Sequence, residues 1–202
     1  MSFCPASRRR ACAAIPPGPQ VEASRQRLSR AADSWSNTAM TCESHDIVIR
    51  AAAHADAEAI LQLHRASIRV LGAEHYSLAE VESWATGLVP ERYVTAMTDG
   101  GETFIVAAAA DGDLAGFCSF KDDEVKGLYV APGWARRGVG SALLRRAEAA
   151  IAATGRRRIR IGASLSGQAF YERHGYRVTD RHGWTSRGGL VMAALAMEKT
   201  LP

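Results

Sequence analysis

Leu128-Tyr129-Val130-Ala131-Pro132-Gly133-Trp134-Ala135-Arg136-Arg137-Gly138-Val139-Gly140-Ser141-Ala142 reads as a strand end, a Pro-Gly turn, paired arginines and the glycine-spaced start of a long amphipathic helix. Glycines at 138 and 140 remove the Cβ atoms that would hold an anionic group away from the backbone. The helix start offers unpaired N–H donors and the positive end of its dipole. Arg136 and Arg137 add to that field. The stretch predicts a phosphate cradle between a strand and a helix, with main-chain contacts from Arg137, Gly138, Val139, Gly140, Ser141 and Ala142. Ser141 reads equally well as a first-turn helix residue, and the two arginines as either phosphate partners or solvated side chains.

What the loop lacks narrows the ligand. A Walker A loop continues with Gly-Lys-Ser/Thr, whereas here Gly140 and Ser141 follow Val139 directly, which argues against ATP hydrolysis. A dinucleotide fingerprint needs a third small residue where this chain has Leu143. It also needs an acidic residue about twenty positions on, where this chain has Arg160.

Working outward, residues 46–51 alternate as a strand, and apolar positions at Ala59, Ile60, Leu63, Ile68 and Leu71 predict a helix from Ala55 to about Leu71. Ser77-Leu78-Ala79-Glu80 is a capping box opening a second helix that Gly87 ends, and Pro90 begins a shorter one to about Met97. Residues 103–109 and 114–120 are apolar runs joined by Asp111-Gly112, a hairpin signal. Residues 124–130 form the next strand. The glycine-loop helix ends at Gly155 and leads into a strand at 158–162, which makes a parallel crossover. A short helix at 166–174 stops at Gly175. Strands at 176–180 and 190–197 close the chain around a Gly-rich loop at 183–189. The expected fold class is α/β, a mixed central sheet with helices on both faces and a parallel β-α-β unit. Its ligand should sit between the strands at 124–130 and 158–162, where the connectivity changes.

The 202-residue chain, 47% hydrophobic, suits one sizeable domain. Most of the +4 charge lies in residues 1–45, where six arginines face Glu22, Asp33 and Glu43. Nucleic-acid binding therefore loses its main support. That segment, with Pro16-Pro17-Gly18-Pro19 and no sustained period, reads as a disordered extension, and Met40 as an alternative start, leaving a domain at 46–202. Cys4, Cys12, Cys42 and Cys118 show no metal or redox spacing, and no pair of histidines has zinc spacing, so no metal is expected. A reducing cytoplasm fits, and no apolar run is long enough to span a membrane.

A second segment, Phe170-Tyr171-Glu172-Arg173-His174-Gly175-Tyr176, follows the glycine loop at a characteristic distance. Together the two resemble the GNAT superfamily of N-acetyltransferases over about residues 46–202. Ala135 departs from the family's usual Arg or Gln, and Ser166-Gly167 stand where many relatives have Asn-Ala. The resemblance implies acetyl-CoA as co-substrate, its diphosphate on the glycine loop and its pantetheine arm between the two splayed strands. The main-chain N–H of Leu128 would polarise the thioester carbonyl, and Val130 would hold the pantetheine amide. Tyr171 matches the tyrosine that protonates the departing thiolate, and would otherwise be a core aromatic. Glu124 matches a general-base glutamate of some members, and would otherwise be a solvated turn carboxylate.

The acceptor is expected against the first helices, with Arg65, Arg69, His75, Tyr76 and Trp84, and against the loop around His182 and Trp184. Each of these also reads as packing. An arginine at 65 or 69 facing the cleft would favour a carboxylate-bearing acceptor. The implied reaction is direct acetyl transfer to an amine of a small molecule or peptide. The alternatives are a non-catalytic coenzyme A sensor and an enzyme using another acyl-CoA. No nucleic acid or membrane partner is implied, and a homodimer is left open.

Overall fold

The computed structural model describes residues 47–201. The readings of residues 1–45 and of Met40 lie outside the described residues. Within them seven strands form one sheet: β1 (Ile47–Ala51), β2 (Thr103–Ala109), β3 (Leu114–Lys121), β4 (Glu124–Val130), β5 (Arg158–Ser164), β6 (Arg177–Thr185) and β7 (Val191–Thr200), in the order β1-β2-β3-β4-β5-β7-β6. Every neighbouring pair is antiparallel except β4–β5, so the sheet is mixed, as expected.

Five α-helices cover its two faces: α1 (Ala57–Ser67), α2 (Leu78–Ala85), α3 (Pro90–Thr98), α4 (Val139–Ala153) and α5 (Gln168–Arg173). Strand alternation sends Cys118, Phe120, Val125, Ile159, Ile161, Leu195 and Met197 to one face, against Leu143, Leu144, Ala147 and Ile151 of α4. The other face carries Phe104, Val106, Phe117 and Met192 against Ile60 and Leu63 of α1, Val81 and Trp84 of α2, and Tyr93 of α3. The core is thus two apolar layers divided by the sheet.

Local chemistry explains most boundaries. Ser77 and Glu80 cap α2 reciprocally: Ser77 N–H donates to the Glu80 carboxylate at 2.9 Å and Glu80 N–H donates to Ser77 Oγ at 3.3 Å. Pro90 occupies the first turn of α3, where a missing N–H is harmless. Helix α4 lies close on the sheet because residue 116 is glycine. A Cβ there would stand 2.9 Å from both Leu143 Cδ1 and the Tyr129 carbonyl oxygen.

Three expectations need correction. The first helix stays α only to Ser67 and widens into a π turn at Ile68–Gly72. The helix expected at 166–174 is a 3-10 turn at Leu165–Gly167 followed by α5. The largest change is β6, which runs to Thr185 and moves the connection from the predicted 183–189 to 186–190. Its residues are mostly exposed on both sides, so no apolar alternation marks it. Gly183 belongs to the strand because Val191 of β7 occupies the space a Cβ would need, at 2.8 Å.

Candidate active site

Strands β4 and β5 pair only at Glu124–Arg160 and Val125–Ile161 and then part. Main-chain N–H groups alternate sides along a strand. Since Ala131 N–H donates back to Ala115 O at 2.9 Å, the N–H groups of Leu128 and Val130 face away from β3 and toward the opening. Two donors therefore border a gap in the middle of the sheet.

The glycine loop stands at the mouth of this gap. Arg136 and Gly138 take left-handed backbone conformations (φ 62° and 82°), while Arg137 between them does not. Alternating hand of this kind turns successive N–H groups to one side and forms an anion-binding concavity. The first α4 turn closes with Ala142 N–H on Gly138 O at 3.0 Å, leaving the amides of Val139, Gly140 and Ser141 as helix-start donors. A Cβ on Gly140 would lie 3.4 Å from both Phe170 and Val130. Arg136 and Arg137 are exposed, and the Arg137 guanidinium sits 5.6 Å from the Trp134 ring centre.

Ser141 does more than open the helix. His174 Nδ1 lies 2.8 Å from Phe170 O, an acceptor only, so Nδ1 carries a proton. In the neutral ring Nε2 is then an acceptor for the Ser141 hydroxyl, 3.0 Å away. This bond ties the α4 start to the end of α5, and neither residue alone signalled it in sequence.

Tyr171 of α5 is buried, its ring edge-on to Phe170 and Tyr176. Burial pushes its phenol well above the ordinary tyrosine range, so the hydroxyl keeps its proton at neutral pH. Cys118 is fully buried on β3 and burial raises its thiol strongly, which makes it a poor nucleophile.

On the face opposite α4, a cavity of about 440 Å³ adjoins the gap. Lys126, Gly127 and Tyr129 of β4 and Gly162, Ala163 and Ser164 of β5 form its floor. Of the predicted acceptor contacts, Trp84, His182 and Trp184 line it. Four others have different surroundings. Arg65 donates to Leu88 O at 2.6 Å, and Arg69 holds Glu82 with both prongs at 2.8 Å. His75 lies exposed on a turn. The Tyr76 hydroxyl donates to Ala193 O at 2.7 Å and accepts from Leu165 N–H at 2.9 Å. Sequence reasoning missed His64, Arg92, Tyr93, Tyr129 and Arg187, all of which line the cavity. The first four sit in apolar-periodic segments that read as core or solvated helix.

Glu124 stands where β4 and β5 still pair. Its carboxylate takes the Lys126 ammonium at 3.1 Å, within a polar recess also bordered by Asp122, Asp123, Arg156 and Arg160. Lys126 lines both this recess and the cavity, so it stands between Glu124 and the aromatic walls. Among the described residues no group of three His, Cys, Asp or Glu side chains could hold a metal, and no helix is long and apolar enough to cross a membrane.

His64 is a buried ionisable group of the cavity. Nδ1 lies 2.9 Å from the Tyr93 hydroxyl, while Nε2 is buried without a partner among the described residues. Burial, with the Arg187 charge second, pushes its pKa from 6.5 down to about 3. Between those values the unfolded chain binds a proton that the fold refuses. Stability held above pH 6.5 therefore declines as pH falls toward 3, by about 2 kcal/mol at pH 5. Melting curves of wild type and His64→Phe should converge in their acid dependence only if another group replaces His64 as the sensor. The expected result is a flatter acid limb in the variant.

Comparison with known proteins bears on the family and the fold. The acetyltransferase (GNAT) domain family matches residues 72–201, and the chain belongs to that family. A crystal structure of a GCN5-related N-acetyltransferase (aminotransferase, class-II) from Rhodopseudomonas palustris superposes with a TM-score of 0.72 at 27% identity, covering 80% of this chain and 99% of that one. The PaiA N-acetyltransferase of Thermoplasma acidophilum, solved with coenzyme A, gives 0.61 at 25% identity, covering 77% and 99%. A mycothiol acetyltransferase of Geodermatophilus obscurus is 45% identical over 80 residues, 36% of this chain. The match spans only 25% of that protein's length.

Proposed function

We propose that this protein transfers an acetyl group from acetyl-CoA to the amine of a small molecule or peptide within a direct ternary complex. The observation that carries this reading is the opening between β4 and β5, bordered by the Leu128 and Val130 N–H groups and ending at the glycine cradle. A pantetheine arm needs a slot with strand-like donors, and a diphosphate needs a cluster of amides.

In the proposed reaction the amine nitrogen attacks the thioester carbonyl carbon while Leu128 N–H stabilises the developing oxyanion. The C–S bond then breaks, and the Tyr171 hydroxyl gives its proton to the leaving sulfur. The acceptor's surplus proton goes to Glu124 through water, past Lys126. Direct transfer is supported by Cys118, the thiol nearest the gap in sequence, being buried and held protonated.

Calorimetry with coenzyme A, followed by thiol release from acetyl-CoA across an amine panel, tests the reading. Micromolar binding together with acceptor-dependent release is expected. Binding without release for any acceptor would favour a coenzyme A sensor, and absence of binding would overturn both.

A further inference from the structure

The inference concerns the acceptor and rests on the acetyl-transfer reading above. The cavity beside the β4–β5 gap is walled by Trp84, Tyr93, Phe117, Tyr129 and Trp184, yet its lining also holds Arg92, Lys126 and Arg187 against a single carboxylate, Glu102. Lys126 is engaged by Glu124. Among the described residues, neither Arg92 nor Arg187 takes part in an ion pair.

Arg187 reaches the cavity from a turn that is pinned in place. On one side of it Ser186 Oγ lies 2.6 Å from Ser83 Oγ, and on the other Gly188 N–H donates to Ser83 O at 3.0 Å. Leu190 N–H reaches Ser83 Oγ at 3.3 Å. Residue 188 must be small, because a Cβ there would stand 2.7 Å from Ser83 Cα. The Arg187 stem packs near Gly87, where a Cβ would lie 3.7 Å from Cδ. Helix α3 brings Arg92 to the lining of the same cavity. Partial burial and then the Arg92 charge hold the Arg187 guanidinium below the ordinary arginine range, and the Arg187 charge in turn acts on His64, Tyr93 and Tyr129. Its position is therefore central to the cavity. His64 presents a further buried, unpartnered nitrogen in the same lining.

Arg92 and Arg187 line one cavity whose only carboxylate is Glu102, and although both residues keep solvent exposure their like charges repel one another. A bound anion relieves that repulsion, and guanidinium forks match a carboxylate in shape as well as charge. The volume suits an amino-acid-sized body, and the walls suit an aromatic one. We infer that the acceptor is an amine that also carries a carboxylate, held between Arg92 and Arg187, with an apolar or aromatic body among Trp84, Tyr129 and Trp184.

Matched acceptors decide the question: phenylalanine, phenylalanine amide and phenethylamine, with thiol release from acetyl-CoA as the readout. The acid should exceed both carboxylate-free analogues in kcat/KM by about 10-fold or more. Arg187→Gln and Arg92→Gln should each raise KM for the acid by a similar factor, affect the carboxylate-free amines several-fold less, and leave KM for acetyl-CoA unchanged. Equal or better turnover of the carboxylate-free analogues, or equal losses for all three acceptors in the arginine variants, would overturn the inference while leaving acetyl transfer intact. Titration of phenylalanine into the protein–coenzyme A complex separates the two readings if nothing turns over. Binding of the acid but not of its amide would uphold the anion site with the transfer chemistry lost, and binding of neither would remove the site.

Discussion

Tyr171→Phe is expected to lower kcat by about 10² or more while changing acetyl-CoA affinity less than about two-fold. The substitution deletes one oxygen from a ring that is otherwise held by Phe170, Tyr176 and the backbone at Gly167, where a Cβ would come within 3.1 Å of the ring. Packing is retained, so the melting temperature should move little. The loss falls on the developing thiolate, which no longer meets a proton donor. Because burial raises the phenol above its ordinary range, the wild-type hydroxyl remains loaded as pH rises, and its own titration should not curtail kcat below about pH 10. Steady-state kinetics at saturating acetyl-CoA provide the check. Unchanged turnover in the variant would return Tyr171 to a purely packing role.

Gly140→Val is expected to weaken coenzyme A binding by about 100-fold or more in a protein that still folds. The first added carbon would already lie 3.4 Å from Phe170 and Val130. The two branched methyls must then push those side chains aside or project toward the amides of the cradle, where the diphosphate is proposed to sit. Phe170 has little freedom to yield, since its ring packs against those of Tyr171 and His174, with centroids 5.1 and 4.4 Å away. Overpacking of this kind costs about 1–3 kcal/mol, visible as a lower melting temperature short of unfolding. Calorimetry with coenzyme A on the folded variant measures the effect. Wild-type affinity would move the phosphate site away from this loop.

The glycine loop was legible in sequence because its chemistry is local: a strand end, two glycines and a helix start lie within fifteen residues, and backbone amides need no distant partner. The span of β4 was legible for the same reason, bounded by the Asp122-Asp123 turn and by Pro132. The acceptor cavity was not, since its walls come from α1, α2, α3, β4, β5 and the β6–β7 hairpin, which are brought together only by folding. Choosing among arginines failed for a related reason. Arg65 and Arg69 were singled out from the first helix, yet one is engaged by a backbone carbonyl and the other by Glu82, while Arg92 and Arg187 look no different in the linear chain and line the cavity. Strand β6 was truncated in the reading because its polar residues face solvent on both sides and carry no period.

The double hydrogen bond of the Tyr76 hydroxyl has a mechanical consequence. This one oxygen fastens the connection between α1 and α2 to β7 and, through Leu165 N–H, to the turn from which α5 departs. The helices that roof the acceptor chamber and the helix that carries the phenol of Tyr171 are thereby riveted at a shared point. Displacing the roof would therefore disturb the proton donor, linking one chamber wall to alignment on the far side of the sheet.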